Sequence, residues 1–260
     1  MWIIDPQLSL LRDSLRNIPE SAAGNLAGCL QKEASMHLRE TYQLHRSIIY
    51  CPQPSNNSGK AVSFGMTPEE FKQAWGQSGD EPLIPLQREK LRLLDLSTTS
   101  IDFLNHAGLP GEAAPFLSFV DDSNDISSGI GRLRALYDFL PEEFDPYIVI
   151  GNCNEGSPIV INTHTDQVEY LDHEDNFSAH LFNSTIATLA QSLIAYRDFV
   201  LGVQEANGED AYINADYTRE QLHSLKDALT RADPGAMARQ GFWHEEYEME
   251  EAIWTENQGQ

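Results

Sequence analysis

Two spacings of apolar residues organise this chain. Across "NSTIATLAQSLIAYRDFVLGV" (183–203), Ile186, Leu189, Ala190, Leu193, Ile194, Phe199, Val200 and Val203 recur every three or four residues, which predicts a long helix with one apolar stripe. "YIVIG" (147–151), "PIVIN" (158–162) and "QVEYL" (167–171) are instead short and β-branched or aromatic, divided by the polar turns "NCNEGS" and "THTD". That pattern predicts a three-stranded antiparallel meander, on which the helix is expected to pack.

Helix-start signals place further elements. In "MTPEEFKQAWG" Thr67 is the N-cap, Pro68 takes N1, Glu70 closes a capping box and Met66 is placed to staple against Phe71. Trp75 then faces the core and Gly76 ends the helix. "STTSIDFLNHAGLPGEAAPFLSFV" (97–120) predicts a short helix stopped by Gly108 and Pro110, followed by a strand from Phe116 to Val120. Thr218 and Gln221 form another capping box ahead of Leu222, Leu225 and Leu229. Asp233 and Pro234 restart the chain as N-cap and N1, leading to "FWHEEYEMEEAIW" (242–254), whose Trp243, Tyr247 and Trp254 share a helical stripe. Earlier in the chain, the proline-bearing polar run "CPQPSNNSGK" (51–60) reads as a linker. It divides a small helical appendage, 1–60, from a domain spanning 61–260.

Charge changes the picture most. The formal net charge is −23. Residues 1–60 are nearly balanced, with six Lys/Arg against five Asp/Glu, so the acidity belongs to the larger domain. Such a surface repels nucleic-acid phosphates and suits a basic partner, besides giving solubility. Three scattered cysteines, Cys29, Cys51 and Cys153, make no CxxC pair and fit a reducing compartment. The N-terminus has Asp5 and Pro6 near its start and no signal-peptide pattern, and no apolar run reaches the length of a membrane span. The expected location is the cytoplasm, with no membrane partner.

The central stretch "IVIGNCNEGSPIVINTHTDQVEYLDHED" (148–175) carries the candidate chemistry. In a meander, Cys153 and His164 fall in successive turns at opposite ends of the sheet, about 17 Å apart for a five-residue strand. His173 returns to the Cys153 end, so Cys153/His173 is the one workable nucleophile–base pair. A metal would draw on Asp172, His173, Glu174, Asp175 and His180, but "HEDNFSAH" lacks the i, i+4 histidine pair and is not an EF-hand loop. "WHEEYE" lacks the second histidine of a zinc-protease helix, and Gly129-x-Gly131 follows an acidic loop rather than a strand. No cofactor is expected. What remains are acidic runs, from which Asp121, Asp122, Asp125, Glu142, Glu143, Asp172, Glu174, Asp175, Glu245 and Glu246 are candidate partner contacts.

Taken in order, "TPEEFKQAWG", "FLNHAGLP", the central stretch, "FNSTIATLAQSLIAYRDF" and "ADPGAMARQGFW" resemble the SUKH superfamily, particularly its fourth immunity family, over about residues 66–254. The resemblance implies an α+β fold, a curved and mainly antiparallel sheet flanked by helices, with Trp75, Gly76, Gly108, Gly151, Gly156 and Trp243 in structural roles. It also implies a non-enzymatic bacterial protein that protects its producer by binding a polymorphic toxin, often a nuclease or nucleic-acid deaminase. A basic toxin domain is then the expected partner, with no direct nucleic-acid contact. A general adaptor on the same fold is the alternative, and a Cys153-dependent enzyme the third reading.

Overall fold

The computed structural model describes residues 65–76, 81–153 and 156–258; the expected appendage and linker, with Cys29 and Cys51, lie outside them. The first helix, α1 (Pro68–Trp75), begins as its sequence predicts. Thr67 accepts the Glu70 amide, and the Glu70 carboxylate takes the Thr67 N–H at 2.8 Å and its hydroxyl at 2.9 Å. The Thr67 backbone bond, then its hydroxyl, hold the Glu70 carboxyl below its ordinary range. Phe71 and Trp75, four residues apart, bury the inner face.

Short elements follow: β1 (Leu83–Ile84), α2 (Arg88–Leu91), α3 (Thr98–His106) and β2 (Leu109–Pro110), which pairs with β1. Gly108 joins α3 to β2 at φ 72°, where a Cβ would stand 2.0 Å from the Ile84 carbonyl oxygen, so only glycine fits. The strand predicted from Phe116 is β4 (Leu117–Phe119), which forms a hairpin with β3 (Glu112–Ala113).

The main sheet is antiparallel throughout, in the order β3-β4-β6-β7-β8-β9. The predicted meander forms its centre as β6 (Tyr147–Asn152), β7 (Pro158–Asn162) and β8 (Val168–Asp172). Along its outer edge β6 pairs with β4 at 151–152 and with β5 (Gly131–Arg132) at 148–149. Bulges interrupt β6 at Ile150, between Val149 and Gly151, and the last strand, β9 (Ser178–Asn183), at Phe182, opposite Val168 and Glu169, and such irregularities bend a strand. At Gly151 the neighbouring strand comes so close that a Cβ would lie 2.3 Å from the Ser118 carbonyl oxygen.

The sequence pattern does not predict β5, the short α4 (Leu133–Leu136), the 3₁₀ turn Glu142–Phe144 or β9 (Ser178–Asn183). The segment 172–180 reads as an acidic loop running into a helix, yet β9 lies between. Its residues "SAHLFN" are half-exposed until Phe182 and Asn183, so the strand owes its state to pairing with β8, as at Leu171↔Ala179 and Tyr170↔His180.

Both faces of the sheet are buried, which explains the near-continuous apolar runs of β6 and β7. Ile148, Ile150, Ile159, Ile161, Val168, Tyr170 and Phe182 face the main core, made with the helices. Val149, Val160, Leu171 and Phe177 point the other way, into a smaller core with Leu133 and Leu140. In the main core α5 (Ile186–Asn207) is central. It is capped by Thr185 with a reciprocal bond to Thr188, and Ile186, Leu189, Leu193, Tyr196, Phe199 and Val203 are buried along it. Against the expectation that no apolar run is long enough, α5 alone among the described residues has the length and apolar character of a membrane span, and 56% of its most apolar window is buried inside the protein.

Next come α6 (Arg219–Ala232), capped by Thr218 with the predicted Gln221 box, and α7 (Phe242–Gln258). The expected helix start at Asp233–Pro234 is corrected. The Asp233 carboxylate accepts the Gly235 and Ala236 amides like a cap, but turns occupy 234–240 and α7 begins at Phe242. Asp233 is drawn elsewhere because it is buried and shared with the start of α5.

Candidate partner-binding surface

The β6–β7 and β8–β9 turns do meet at one end of the sheet. The Cys153 thiol donates to the Ser157 carbonyl at 3.5 Å, while the Ser157 hydroxyl lies 2.8 Å from His173 Nδ1 and also accepts the His173 amide at 3.4 Å. Ser157, which sequence reasoning passed over, therefore stands between the two candidate catalytic residues. It is only 5% exposed and its hydroxyl is engaged twice by the same histidine, so this is a clip between turns.

The other turn is also structural. Asp166, at φ 62°, accepts the hydroxyls of Ser97 and Ser100 at 2.9 and 2.8 Å, anchoring the β7–β8 turn to the start of α3. His164 is exposed. His180 stacks on Tyr170 with ring centroids 4.9 Å apart and bonds Ser178 at 3.0 Å. Among the described residues no three His, Cys, Asp or Glu side chains converge to hold a metal ion.

The acidic candidates separate into those held by the protein and those left at its surface. Asp122 accepts the Gln87 amide at 3.0 Å and its side-chain NH₂ at 2.7 Å, and pairs with Lys90 at 3.3 Å. Burial pushes its carboxyl up, but these bonds outweigh it and leave it below the ordinary range. Asp121 is lowered by the Ser123 hydroxyl and amide, and Asp125 by the Ser127 amide and hydroxyl, so this loop is ordered by its own acids. Asp172 folds the β8–β9 turn by accepting the Glu174 amide at 2.9 Å. Glu245 is half-buried and takes the Tyr170 hydroxyl at 3.5 Å. Glu246 is corrected as a surface candidate: at 6% exposure it lies inside, near enough to Tyr196 to raise that phenol. Glu142, Glu143, Glu174 and Asp175 are exposed, and none joins an ion pair among the described residues.

Two buried acids organise the helices, Glu250 with no sequence signal and Asp233 signalled only as a cap. Glu250, fully buried on α7, accepts the hydroxyls of Tyr196 and Tyr212 at 3.0 Å and of Tyr217 at 2.5 Å. Burial, then the Glu250 charge, pushes the Tyr196 phenol well above its usual range. Asp233 accepts from Ser184, Thr188 and Asn183, and Asn183 in turn accepts the Trp243 indole N–H at 2.9 Å. Trp243 is thus fixed by a hydrogen bond as well as by packing. Trp75 is treated similarly, donating to the Glu81 carbonyl at 2.8 Å under the Arg197 guanidinium, 5.0 Å from its ring. Gly76 closes α1 on the Lys72 carbonyl, and Gly156 turns the chain at φ 80°.

Among the described residues Leu93 and Ile126 are exposed singly, and two surfaces hold exposed large apolar groups beside other rings or a cleft. One is an open cleft of about 580 Å³ between α5 and the β3–β4 hairpin, lined by Trp75, Arg197 and Leu201, with Phe116 51% and Ile213 44% exposed. The other lies over the smaller core. There Phe177 contacts Tyr137, Phe139 and Phe144 at centroid distances of 5.0, 6.2 and 6.1 Å, and Phe139 is 71% exposed. Glu142, Glu143, Glu174 and Asp175 belong to the same two segments.

Beneath that patch Glu169 is 8% exposed, and desolvation raises its carboxyl despite bonds from Asn162 and Tyr147. Burial and the neighbouring Glu169 push the Tyr147 phenol up to about 12.

No curated protein and no solved structure matches the chain. The model of the SUKH-4 immunity protein family matches residues 66–249, from the residue before the Thr67 cap to the middle of α7. That span takes in the whole antiparallel sheet and the helices packed on it, and the chain belongs to the SUKH-4 immunity protein family, bacterial proteins of toxin–immunity systems.

Proposed function

We propose that this protein binds and neutralises a toxin domain that acts on nucleic acid, of nuclease or deaminase type, in the cytoplasm of the cell that makes both. The observation that carries the reading is the net charge of −23, concentrated outside residues 1–60. A domain that grips phosphates needs a basic surface. A protein of this charge is drawn to such a surface over distances set by the Debye length, about 8 Å at physiological salt, and competes with nucleic acid for it. Binding, not bond chemistry, is the activity: the Cys153 and His173 side chains both engage Ser157.

The test is stopped-flow association with the toxin domain encoded by the adjacent gene, inactivated at its catalytic residue. The association rate constant is expected to fall at least about tenfold between 50 and 500 mM salt while the dissociation rate changes little. A salt-independent association rate would refute electrostatic capture. Cys153→Ser should neutralise the active toxin as well as the wild type does in co-expression, whereas loss of protection would favour an enzyme.

A further inference from the structure

We propose that the aromatic cluster around Phe177 is the anchor of the toxin interface, and that it receives a lysine- or arginine-bearing segment of the toxin. This rests on the toxin-binding reading and adds the face and the chemistry of contact. Single exposed apolar side chains are ordinary on protein surfaces. This one differs in how it is held and in what surrounds it.

Phe139, though 71% exposed, is braced edge-on against Tyr137 at 6.0 Å and tilted on Phe177 at 6.2 Å. Phe144 completes the group from the 3₁₀ turn, itself 5.9 Å from the Tyr147 ring. Such rings are placed before any partner arrives, so little side-chain entropy is lost on binding.

Carboxylates then form the rim. Asp138 adjoins two of the rings in sequence, Glu142 and Glu143 share the 3₁₀ turn with Phe144, and Glu174 and Asp175 lead into Phe177. The nearby arginines are already committed, Arg134 to Asp145 at 2.6 Å and to the Leu140 carbonyl at 2.9 Å, and Arg132 to Asp95 at 2.6 Å. An aromatic centre inside a polar rim is the arrangement in which binding energy concentrates in a few residues.

Charge decides among occupants. A second copy of this chain would bring the same carboxylates against these, at −23 each, and like charges brought face to face across an interface repel. A neutral apolar helix would cover the rings but leave the rim carboxylates desolvated without partners. A basic segment satisfies both, its alkyl stems lying on the rings and its cations reaching ring faces and carboxylates.

The experiment measures binding of the inactivated adjacent-gene toxin domain by calorimetry and surface kinetics, using the full chain. Phe139→Ala is expected to weaken binding at least about tenfold, mainly through faster dissociation. The double variant Glu142→Lys/Glu143→Lys should slow association at low salt, and Phe116→Ala, in the cleft, should stay within about twofold of wild type. Unchanged thermal melting shows that Phe139→Ala is folded. Tight wild-type binding that Phe139→Ala leaves intact overturns the proposed face, as does a loss confined to Phe116→Ala. A wild type that does not bind overturns the toxin reading itself, and this inference with it.

Discussion

The two faces of the sheet treat acidic residues in opposite ways. On the helix side, beside exposed acids such as Asp198, Glu220 and Asp227, two are taken inside and given several donors: Glu250 gathers three tyrosine hydroxyls, and Asp233 ties Ser184, Thr188 and Asn183 to the turn after α6. On the other side the core is thin, built on Leu133, Leu140, Val149, Val160, Leu171 and Phe177, and most acids around it face water. The difference separates two uses of one residue type. Buried carboxylates with several donors fix where helices sit relative to one another, whereas exposed ones leave their field available to a partner.

The sharpest way to break this comparison is Glu250→Ala. It leaves the Tyr196, Tyr212 and Tyr217 hydroxyls buried around a cavity, at a cost of about 3–5 kcal/mol. For a domain of this size the melting temperature should drop by about 10 °C. A variant melting within about 2 °C of wild type would mean that the polar hub does not hold the helix side together. Asp233→Asn comes next, at about 2–3 kcal/mol, because a new NH₂ must face groups that themselves donate, Ser184 and Thr188. Chemical denaturation checks it. The expected outcome is a lower midpoint with an unchanged slope, since the packing around the site stays the same.

Asp233 is legible only as a helix cap, not as the tie to the start of α5, and the Glu250 hub is not legible at all. Glu250 sits in "HEEYEMEE", where Glu246 and Glu250 look like their exposed neighbours, and its tyrosines lie 33 to 54 residues away. Only the packing of α7 on α5 and α6 turns those two glutamates inward. The capping boxes at Thr67 and Thr218 were legible because each is a local hydrogen-bond pattern three residues wide. The three central strands were legible from their β-branched runs. β9 was not, because an edge strand with half-exposed residues depends on its neighbour for its conformation. For the surface, the acidic runs announced charge but not direction. Which carboxylates a loop spends on itself, as Asp122 does on Gln87 and Lys90, is settled only by contacts 32 to 35 residues apart in sequence. The aromatic patch was unreadable for the same reason: Phe139 and Phe177 meet only once β8 and β9 are paired and the 133–144 segment is laid across them.

A smaller effect should separate the two faces by pH. Glu169, under the aromatic patch, has a folded-state carboxyl raised above the ordinary value of 4.5, so the folded protein holds its proton where the unfolded chain has released it. Stability should therefore fall as pH rises from about 4.5 through that raised value and stay lower above it. Glu169→Gln, which stays neutral, should flatten this part of the curve. At the alkaline end, the Tyr147 phenol at about 12 against an ordinary 10.0 contributes stability that is present below 10 and lost as pH climbs toward 12. Tyr147→Phe should reduce that fall, leaving the part contributed by the raised phenols of Tyr196 and Tyr247. A wild-type curve that is flat in both windows would mean the second face is wetter than its burial implies.

The smallest effect is the most discriminating. Phe139→Ala removes a side chain that is 71% exposed, and substitutions at such positions usually change stability by no more than about 0.5 kcal/mol. Its melting curve should overlay that of the wild type, in contrast to Glu250→Ala. A measurable loss would mean that Phe139 braces the smaller core through Phe177 and Tyr137, making the ring a packing residue that happens to be visible. No loss, together with weakened toxin binding, would mean that the ring is kept at the surface at the expense of burial. That pairing of a neutral melt with a weakened complex is what a contact residue produces and a core residue does not, because only the contact residue leaves the free protein unchanged when it is removed.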